Sequence, residues 1–365
     1  MTKAQLIERW QTGNYKQILA NFGEIFNELH LTQLKQLAGT FEGRIDCRGL
    51  PLPSLITDFT EIENLFENID FSYAEIGQRI HFECCQFTNC LFKNSILDCA
   101  FWGSQINHCQ FIGGQINTRF GYARERKPAE KGKIKVYYNL EKYGYENLTN
   151  CVFNKVTFKK YAGIGAICKH CVFEDCKFNF YELDGIFEDC QFIGRLRSVV
   201  FTGYQIETTD YPPTETTPFN SMKNVDFSRC EMTYMEFRND CDLSQIIPPD
   251  PSKYVIFKHT LALAKQVEEL GIARGMDKHW LWYHLKDLYK YANVSRDFYL
   301  QKFPQDAESM NNNQYFEIHA KSNPWRMVSV NDYLTTAKEE DMAFTKNWFE
   351  ICCKAKQMTD EKITQ

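Results

Sequence analysis

Large apolar residues recur every five positions between residues 61 and 116. The series runs through Phe66, Phe71, Ile76, Phe82, Phe87, Phe92, Ile96, Phe101, Ile106, Phe111 and Ile116, with frame slips after Ile76 and Phe92. A small residue stands two positions before many of them, as Ala74, Cys85 and Cys90 do. A period of five fits neither the 3.6-residue period of a helix nor the two-residue period of a strand. The stretch is therefore an internal repeat.

The same spacing returns in a second block after residue 147. It passes through Leu148, Phe153, Phe158, Phe173, Phe178, Leu183, Phe187, Phe192, Phe201, Ile206, Phe227, Met232 and Phe237. Because each large residue occupies the same place in its unit, we expect these side chains to form one continuous core. The phenylalanines predicted for that core are Phe66, Phe71, Phe82, Phe87, Phe92, Phe101, Phe111, Phe153, Phe173, Phe178, Phe192 and Phe227.

A five-residue unit has a simple geometric explanation, in which each unit makes one side of a square. Four units then close one turn of about 20 residues, and successive turns stack through backbone hydrogen bonds about 4.8 Å apart. The units FENID-FSYAE, CQFTN-CLFKN, CVFED-CKFNF and NVDFS-RCEMT resemble those of pentapeptide-repeat proteins. The resemblance covers residues 61–243 except for an insertion, and it implies a right-handed quadrilateral β-helix. We therefore expect a mainly β fold of this kind, with an α-helical N-terminal cap and an α-helical C-terminal domain.

The patterning divides the chain into three regions. Residues 1–40 predict a helical N-terminal cap, because their apolar residues follow three- and four-residue steps and because the open end of a stacked repeat needs a cover. Residues 41–245 form the repeat domain, interrupted at 119–147 and 207–220, and we expect the two blocks to stack as one across the first interruption. Residues 246–365 begin at a proline-rich boundary. They predict helices over 253–292 and 330–358, with an irregular polar stretch over 312–327.

Ten of the 15 cysteines occupy the small position of a repeat unit: Cys85, Cys90, Cys99, Cys109, Cys151, Cys171, Cys176, Cys190, Cys230 and Cys241. Because cysteine is small and readily buried, we expect packed, free thiols and no disulfide framework. The first residues contain no apolar segment of the kind found in signal peptides. No run of about 18 apolar residues could span a membrane. These features predict a reducing, cytoplasmic compartment and no membrane partner.

Two sets of residues are candidates for contacts with a partner. The interruption at 119–147 holds eight basic and four acidic residues, and long insertions in rigid scaffolds often carry function. It is either a solvated loop or an arm that contacts an anionic or protein partner. In the C-terminal domain, the tryptophans are either core residues or interface anchors. The candidate contacts are Arg124, Arg126, Lys127, Lys131, Lys133, Trp280 and Trp282.

The motifs that could carry catalysis or metal binding are incomplete. Cys168-Lys-His-Cys171 has the spacing of a metal motif, but Cys171 and Cys176 occupy repeat positions and no second cysteine pair completes a zinc set. His279 and His284 lie five residues apart, which does not place them on one face of a helix. There is no phosphate-binding glycine motif and no GxSxG. We therefore expect no cofactor, no metal and no catalytic residue, and a protein that is not an enzyme. An enzyme would need a pocket, for example around His279, Trp280 and His284.

The leading functional hypothesis is a non-catalytic scaffold for protein–protein interaction, with no direct binding of nucleic acid. The resemblance implies an alternative, because some pentapeptide-repeat proteins are dimeric, acidic DNA mimics that bind and protect type II topoisomerases such as gyrase. Residues 61–118 fit that role only in part, since they hold seven acidic and two basic residues and the insertion is basic. A third hypothesis is an adaptor that binds its partner through the C-terminal helices. The partner's identity and the choice between monomer and homodimer stay open.

Overall fold

The computed structural model describes residues 1–27, 31–52, 60–62, 64–117, 119–121, 124–128, 134–138, 147–159, 163–179, 181–183, 185–203, 220–239, 241–292, 294–307, 325–329 and 339–363. They belong to two compact units, Met1–Leu196 with Lys223–Asp226, and Arg197–Met222 with Phe227–Gln365. Several predicted features lie outside the described residues: Lys131, Lys133, Ile206, 207–219, 312–324 and 330–338.

The first unit begins with four short helices, α1 (Lys3–Glu8), α2 (Gly13–Ala20), α3 (Phe22–Asn27) and α4 (Leu31–Ala38), with a 3₁₀ turn at Arg9–Gln11. A capping box starts α1, because the Thr2 hydroxyl accepts from the Gln5 N–H while the Gln5 side chain accepts from the Thr2 N–H. The α3 helix covers the start of the repeat. The Asn64 amide donates to the Phe26 carbonyl oxygen over 2.6 Å, and the Phe26 ring lies 5.8 Å from Phe66.

Four parallel sheets follow. Between residues 60 and 178, apart from one inserted hairpin, the chain visits them in the same order and returns to a given sheet at every fourth strand. Sheet 1 contains β3 (Thr60–Ile62), β7 (Ile80–Glu83), β11 (Ala100–Trp102), β15 (Arg119–Gly121) and β21 (Gly163–Ile164). Sheet 2 contains β4 (Leu65–Glu67), β8 (Gln86–Thr88), β12 (Gln105–Asn107), β18 (Asn147–Thr149), β22 (Ile167–Lys169) and β26 (Ile186–Glu188).

In each turn of the chain, sheets 3 and 4 receive their strands after sheets 1 and 2. Within the first unit, sheet 3 contains β2 (Arg44–Asp46), β5 (Ile69–Asp70), β9 (Leu91–Lys93), β13 (Gln110–Ile112), β19 (Val152–Asn154), β23 (Val172–Glu174) and β27 (Gln191–Arg197), and β1 (Thr40–Phe41) pairs antiparallel with β2. Sheet 4 contains β6 (Glu75–Ile76), β10 (Ile96–Leu97), β14 (Gln115–Ile116), β20 (Thr157–Phe158) and β24 (Lys177–Phe178). The strand β25 (Tyr181–Leu183) precedes β26. This is a mainly β repeat fold of parallel strands in stacked sheets.

The large residue of each unit is buried, and its register aligns it with its counterpart on the next strand. All twelve phenylalanines predicted for the core are buried, Phe227 among them in the second unit. One column of stacked rings runs along sheet 3 with centroids 4.6–5.1 Å apart, through Phe71, Phe92, Phe111, Phe153, Phe173 and Phe192. These separations match the spacing of neighbouring strands, about 4.8 Å, so the backbone ladder and the ring column reinforce each other.

One predicted core position is wrong. Leu97, and not Ile96, is the inward residue of β10, because Leu97 is buried and pairs with Ile76 and Ile116. Ser95, two positions before Leu97, occupies the small position of this repeat unit. Ser95 is buried, and its hydroxyl donates to the Phe71 carbonyl oxygen over 2.7 Å.

The first interruption is shorter than 119–147. Phe120 in β15 is buried and pairs with Phe101 and Ile164, which makes Arg119–Gly121 a regular strand of sheet 1. At the other end, Leu148 pairs with Ile106 in sheet 2. The sheets therefore continue across the insertion, as predicted. Between these strands lies an antiparallel hairpin of β16 (Arg124–Pro128) and β17 (Ile134–Tyr138).

The second unit combines short strands with a helical core. Its strands are β28 (Val199–Thr202), β29 (Asp226–Thr233), β30 (Glu236–Arg238), β31 (Tyr254–Lys258) and β32 (Trp325–Ser329). β28 pairs parallel with β30, and Phe201 stacks on Phe237 at 5.7 Å. Tyr254 joins these strands to the helical core, because its hydroxyl accepts from the Met232 N–H over 2.7 Å and donates to the Met232 carbonyl oxygen over 3.2 Å.

The helices of this unit are α5 (Leu261–Ala273), α6 (Lys278–Tyr291), α7 (Arg296–Lys302) and α8 (Glu339–Ile363), with a 3₁₀ turn at Pro304–Asp306. Side chains of Thr260, Asp277 and Ser295 cap α5, α6 and α7 by accepting a backbone N–H. Gly271 lets α5 and α6 approach closely, since a Cβ there would lie 2.7 Å from the Leu281 side chain. The buried core includes Val255, Leu263, Val267, Leu281, Leu285, Leu288, Tyr289, Tyr299, Phe303, Trp348, Ile351 and Cys352.

The helical prediction for 253–292 is wrong at its start. Tyr254–Lys258 is a strand that pairs antiparallel with Trp325–Ser329, so the end of the stretch predicted to be irregular is also a strand. The run Tyr-Val-Ile-Phe favours a strand because it is aromatic and β-branched, and the cap at Thr260 fixes where α5 begins. Among the described helices, none is both long and apolar enough to cross a membrane.

Candidate interaction surfaces

The outer positions of sheet 2 form columns in strict register. One column consists of Glu67, Thr88, Asn107, Thr149, Lys169 and Glu188. It holds one ion pair, between Lys169 and Glu188 over 3.0 Å. The other column consists of Leu65, Gln86, Gln105, Asn147, Ile167 and Ile186. The outer face of this sheet is thus mainly amide, hydroxyl and aliphatic, with few carboxylates.

Residues in the left-handed conformation follow the strands of sheet 2. They are Asn68, Asn89, His108, Asn150, His170 and Asp189, with φ between 52° and 54°. Asparagine, aspartate and histidine are the side chains that tolerate this conformation best after glycine. This column was not predicted from the sequence, although its signal is present there. A residue of this kind stands two positions after the large residue of many units, as Asn68 does after Phe66.

The thiols of the small positions face the interior and donate to backbone carbonyl oxygens. Cys151 donates to Ile106 and Cys171 to Leu148, each over 3.2 Å, and Cys176 donates to Phe153 over 3.3 Å. Burial raises the pKa of Cys176 to about 12 and raises the pKa of Cys168 and Cys190 above that of an ordinary thiol. Protonated, buried thiols are chemically inert, so Cys168, Cys176 and Cys190 act in packing.

The Cys168–Cys171 motif is divided between the interior and the surface. Cys168 and Cys171 are buried, whereas His170 between them is exposed and lies 3.9 Å from the Asp189 carboxylate. Cys168 takes the inward position of β22, where it pairs with Leu148 and Phe187. Within the described ranges, no group of three or more His, Cys, Asp or Glu residues is arranged to hold a metal ion.

Three of the five basic candidates of the insertion lie on the described strands of the hairpin. Arg124, Arg126 and Lys127 belong to β16, and the register places them opposite Tyr138, Val136 and Lys135 of β17. Residues 124–138 contain six basic and two acidic residues in a chain whose net charge is −5. The hairpin thus concentrates positive charge in an otherwise acidic protein.

The structure separates the two tryptophans predicted as contacts. Trp280 is 44% exposed, and its ring lies 6.4 Å from Tyr283, which is 59% exposed, and 6.0 Å from Phe344 on α8. We call the exposed rings of Trp280 and Tyr283 the aromatic patch. Residues three apart share a helix face, so the i, i+3 spacing on α6 is a usable signal for Tyr283, which was not among the predicted contacts.

Trp282 lies on a different face of α6 and packs inward. It is partly buried against the core, with its ring 5.3 Å from Phe303 and 5.4 Å from the Lys302 ammonium. Lys302 also donates to the Glu268 carboxylate over 2.8 Å. Trp282 therefore fixes α6 against the segment that follows α7, and it contributes packing and a cation–π contact within the unit.

The two histidines of α6 occupy different environments. His279 is exposed, whereas His284 is buried and stacks on Phe344 at 5.6 Å and on Trp348 at 4.8 Å. Burial, together with the charge of Arg326, lowers the pKa of His284 to about 3. At neutral pH His284 is therefore an uncharged ring within an aromatic stack, and the structure does not bring it together with His279.

Comparison of the chain with protein-family models gives no match, and comparison with curated proteins gives no significant match.

Proposed function

We propose that this protein is a non-catalytic scaffold that binds another protein. We infer that the four parallel sheets are the sides of a right-handed quadrilateral β-helix of the pentapeptide-repeat kind. The return of the chain to the same sheet at every fourth strand supports this fold, as does the alignment of Phe92, Phe111, Phe153 and Phe173 on successive strands. A stacked repeat of this type holds its outer residues in fixed positions, so binding costs little ordering entropy.

The observation that supports a protein-binding role best is the aromatic patch. Aromatic residues are enriched at protein interfaces, and tryptophan and tyrosine are among the residues most enriched at their energetic centres. Trp280 and Tyr283 are held on α6, whose first turn Asp277 caps, and Phe344 supports the Trp280 ring. A rigid, preformed aromatic surface on a helix is suited to bind the apolar surface of a partner protein.

The outer columns of sheet 2 argue against a DNA mimic. Such a mimic needs closely spaced carboxylates along a face, because it must reproduce the phosphate charge of a duplex. The six-residue column from Glu67 to Glu188 holds two carboxylates, separated by Thr88, Asn107, Thr149 and Lys169. We therefore place the topoisomerase-protecting role second.

None of the 15 cysteines is in a disulfide, and this supports a reducing compartment such as the cytoplasm. The experiment that separates the two functions adds the full-length protein to a type II topoisomerase and follows supercoiling. The scaffold proposal predicts no change in supercoiling at any protein concentration. Inhibition that weakens with salt, and that is lost when Glu67 and Glu188 are changed to glutamine, would replace the scaffold by the DNA mimic.

A further inference from the structure

The buried His284 ring connects the aromatic patch to α8. It stacks on Phe344 at 5.6 Å and on Trp348 at 4.8 Å, both of which belong to α8. It also lies 5.3 Å from the Tyr283 ring of the patch, and Phe344 in turn lies 6.0 Å from the Trp280 ring. One continuous set of rings therefore runs from the exposed patch through His284 to α8.

The charge that acts on His284 is positive. Arg326 on β32 lowers the pKa of His284, in addition to the larger effect of burial. The Asp287 carboxylate, which follows on α6, pairs with Arg326 over 3.5 Å, and the buried Cys352 thiol of α8 also lies within the field of Arg326. The two rings that α8 places against His284 are uncharged. A proton on His284 would therefore put a second cation near Arg326 within an apolar stack, which is unfavourable.

The ring stack is one of several contacts that hold α8 in place. α8 also packs against α5, β31 and β32, and its Ile351, Cys352 and Ala355 are buried. A charged link joins Arg274, at the end of α5, to Glu350 over 2.8 Å, and both side chains are more than 40% exposed. Exposed ion pairs of this kind contribute little to stability. Movement of α8 away from α6 would open the stack to solvent, and His284 could then take up a proton.

We propose that His284 is a pH-sensitive contact, whose neutral ring holds α8 against α6 and whose protonation releases α8 and removes the support of the aromatic patch. The inference rests on the proposed scaffold function and adds its regulation. Because Phe344 supports the Trp280 ring, release of α8 removes the preformed surface for the partner. Binding through the patch is then restricted to conditions in which His284 is neutral.

The size of the effect follows from the number of protons taken up. With α8 docked the pKa of His284 is about 3, and with α8 released it returns to its ordinary value of 6.5. Between these values the ratio of released to docked α8 should rise by about tenfold for each pH unit, because release binds one proton. Unfolding of the whole unit would also expose His259, which packs against Phe257 and Tyr291, and would rise by up to about a hundredfold per unit.

Thiol labelling of the full-length protein measures the release. The reagent is a pyridyl disulfide, which reacts with thiols in acid, and mass spectrometry gives the rate at each cysteine between pH 6.5 and about pH 4. Cys352 is fully buried on α8, whereas Cys84 is exposed and corrects for the reagent's own pH dependence. We expect the ratio of the Cys352 rate to the Cys84 rate to rise about tenfold per pH unit. Cys241, fully buried in the same unit, should react more slowly than Cys352 throughout.

Three kinds of variant locate the titrating group. His284→Phe keeps a ring in the stack and removes its proton, so the corrected Cys352 rate should no longer change with pH. His284→Leu tests the same point with a different side chain, in case the larger ring disturbs the fold. His279→Phe changes the exposed histidine of the same helix and should keep the wild-type slope. Glu350→Gln removes the ion pair with Arg274 and should also keep the slope.

Several results would overturn the proposal: a corrected Cys352 rate that does not change with pH in the wild type, a wild-type slope in the His284 variants, loss of the slope in Glu350→Gln, or equal rates at Cys241 and Cys352. The last result would mean that α8 leaves only when the whole unit unfolds. Capture of a partner at neutral pH tests the scaffold function separately. If the labelling behaves as predicted and no partner is captured, the scaffold function fails and the pH-sensitive contact stands.

Discussion

The Cys171 thiol donates a hydrogen bond to the carbonyl oxygen of Leu148, which lies 23 residues earlier in the chain, over 3.2 Å. The same relation joins Ser95 to Phe71 and Ser104 to Phe82, where hydroxyl groups replace the thiol. The small residue of the repeat is therefore a hydrogen-bond donor as well as a space-filling residue. It reaches the backbone of a large residue 22 to 24 positions earlier in the chain, and so links the two positions that define the repeat.

This relation predicts different outcomes for two substitutions of similar size. Cys171→Ser keeps a donor, whereas Cys171→Ala leaves the Leu148 carbonyl oxygen without it. We expect the alanine variant to lose about 1 kcal/mol more free energy of unfolding than the serine variant, which is the usual value of one such hydrogen bond. Denaturant unfolding of both variants measures the difference. An alanine variant as stable as the serine variant would show that the thiol only fills space.

The ring column predicts a sharp contrast between neighbouring positions of β19. The Phe153 ring is fully buried between Phe111 and Phe173, at 4.6 and 4.9 Å. Phe153→Ala should cost about 3–5 kcal/mol of unfolding free energy, because it removes a large buried ring and leaves a cavity. Val152→Ala, one residue earlier on the outer face, is the matched control and should cost less than about 1 kcal/mol.

A charge in the core should be still more damaging. Phe101 is fully buried and stacks on Phe82 and Phe120 at 5.2 Å. Phe101→Asp should unfold the first unit, since a buried carboxylate without a partner costs more than a domain's typical stability reserve. Circular dichroism with thermal melting provides the measurement, and wild-type melting of this variant would contradict the stacked repeat.

The buried histidines predict that the second unit loses stability in acid. Burial and the charge of Arg326 lower the pKa of both His259 and His284 from 6.5 to about 3. Between these two values the unfolded state binds more protons than the folded state, so the free energy of unfolding falls as the pH drops below 6.5. In this window, each histidine should lower the free energy of unfolding by up to about 1.4 kcal/mol for every unit by which the pH falls. Above the window, it should have no effect on the free energy of unfolding.

Denaturant unfolding at a series of pH values, followed by tryptophan fluorescence, tests this dependence. His284→Phe keeps an aromatic ring between Phe344 and Trp348 and removes one titrating group, so it should reduce the slope between pH 4 and 6 by roughly the contribution of one histidine. His279→Phe changes an exposed histidine on the same helix and should leave the slope unchanged. An identical slope in the wild type and the His284 variant would show that His284 is not buried as a neutral ring.

The five-residue spacing was sufficient to predict most inward residues, because a stacked repeat has to place a large side chain at the same point of every unit. It failed at Ile96 and Leu97, where two adjacent aliphatic residues fit the spacing equally well and the donor at Ser95 decides between them. It also missed Phe120 as a core residue, because the charged residues that follow Phe120 have no five-residue spacing and the first repeat block was therefore ended too early. The pairing of Tyr254–Lys258 with Trp325–Ser329 joins segments far apart in the chain, and local pattern carries no information about such partners.

The candidate contacts were less predictable than the core. Sequence alone could not separate Trp280 from Trp282, because exposure depends on which helix face meets α8 and the segment that follows α7. The structure shows that Lys302 and Phe303 cover Trp282 while the Trp280 ring stays partly open to solvent. The insertion was predicted to be either a solvated loop or a contact arm, and the pairing of β16 with β17 follows only from the structure.

The most direct measurement of the scaffold function is affinity capture from native lysate with three forms of the full-length protein. One is the wild type, one carries Trp280→Ser with Tyr283→Ser, and the matched control carries Leu65→Ser with Ile247→Ser, two side chains that are each 47% exposed outside the patch. We predict that the wild type and the control retain the same partner in stoichiometric amount, and that the patch variant loses it. A partner retained equally by all three forms, or no specific partner for the wild type, would contradict the claim that this protein binds its partner through the aromatic patch.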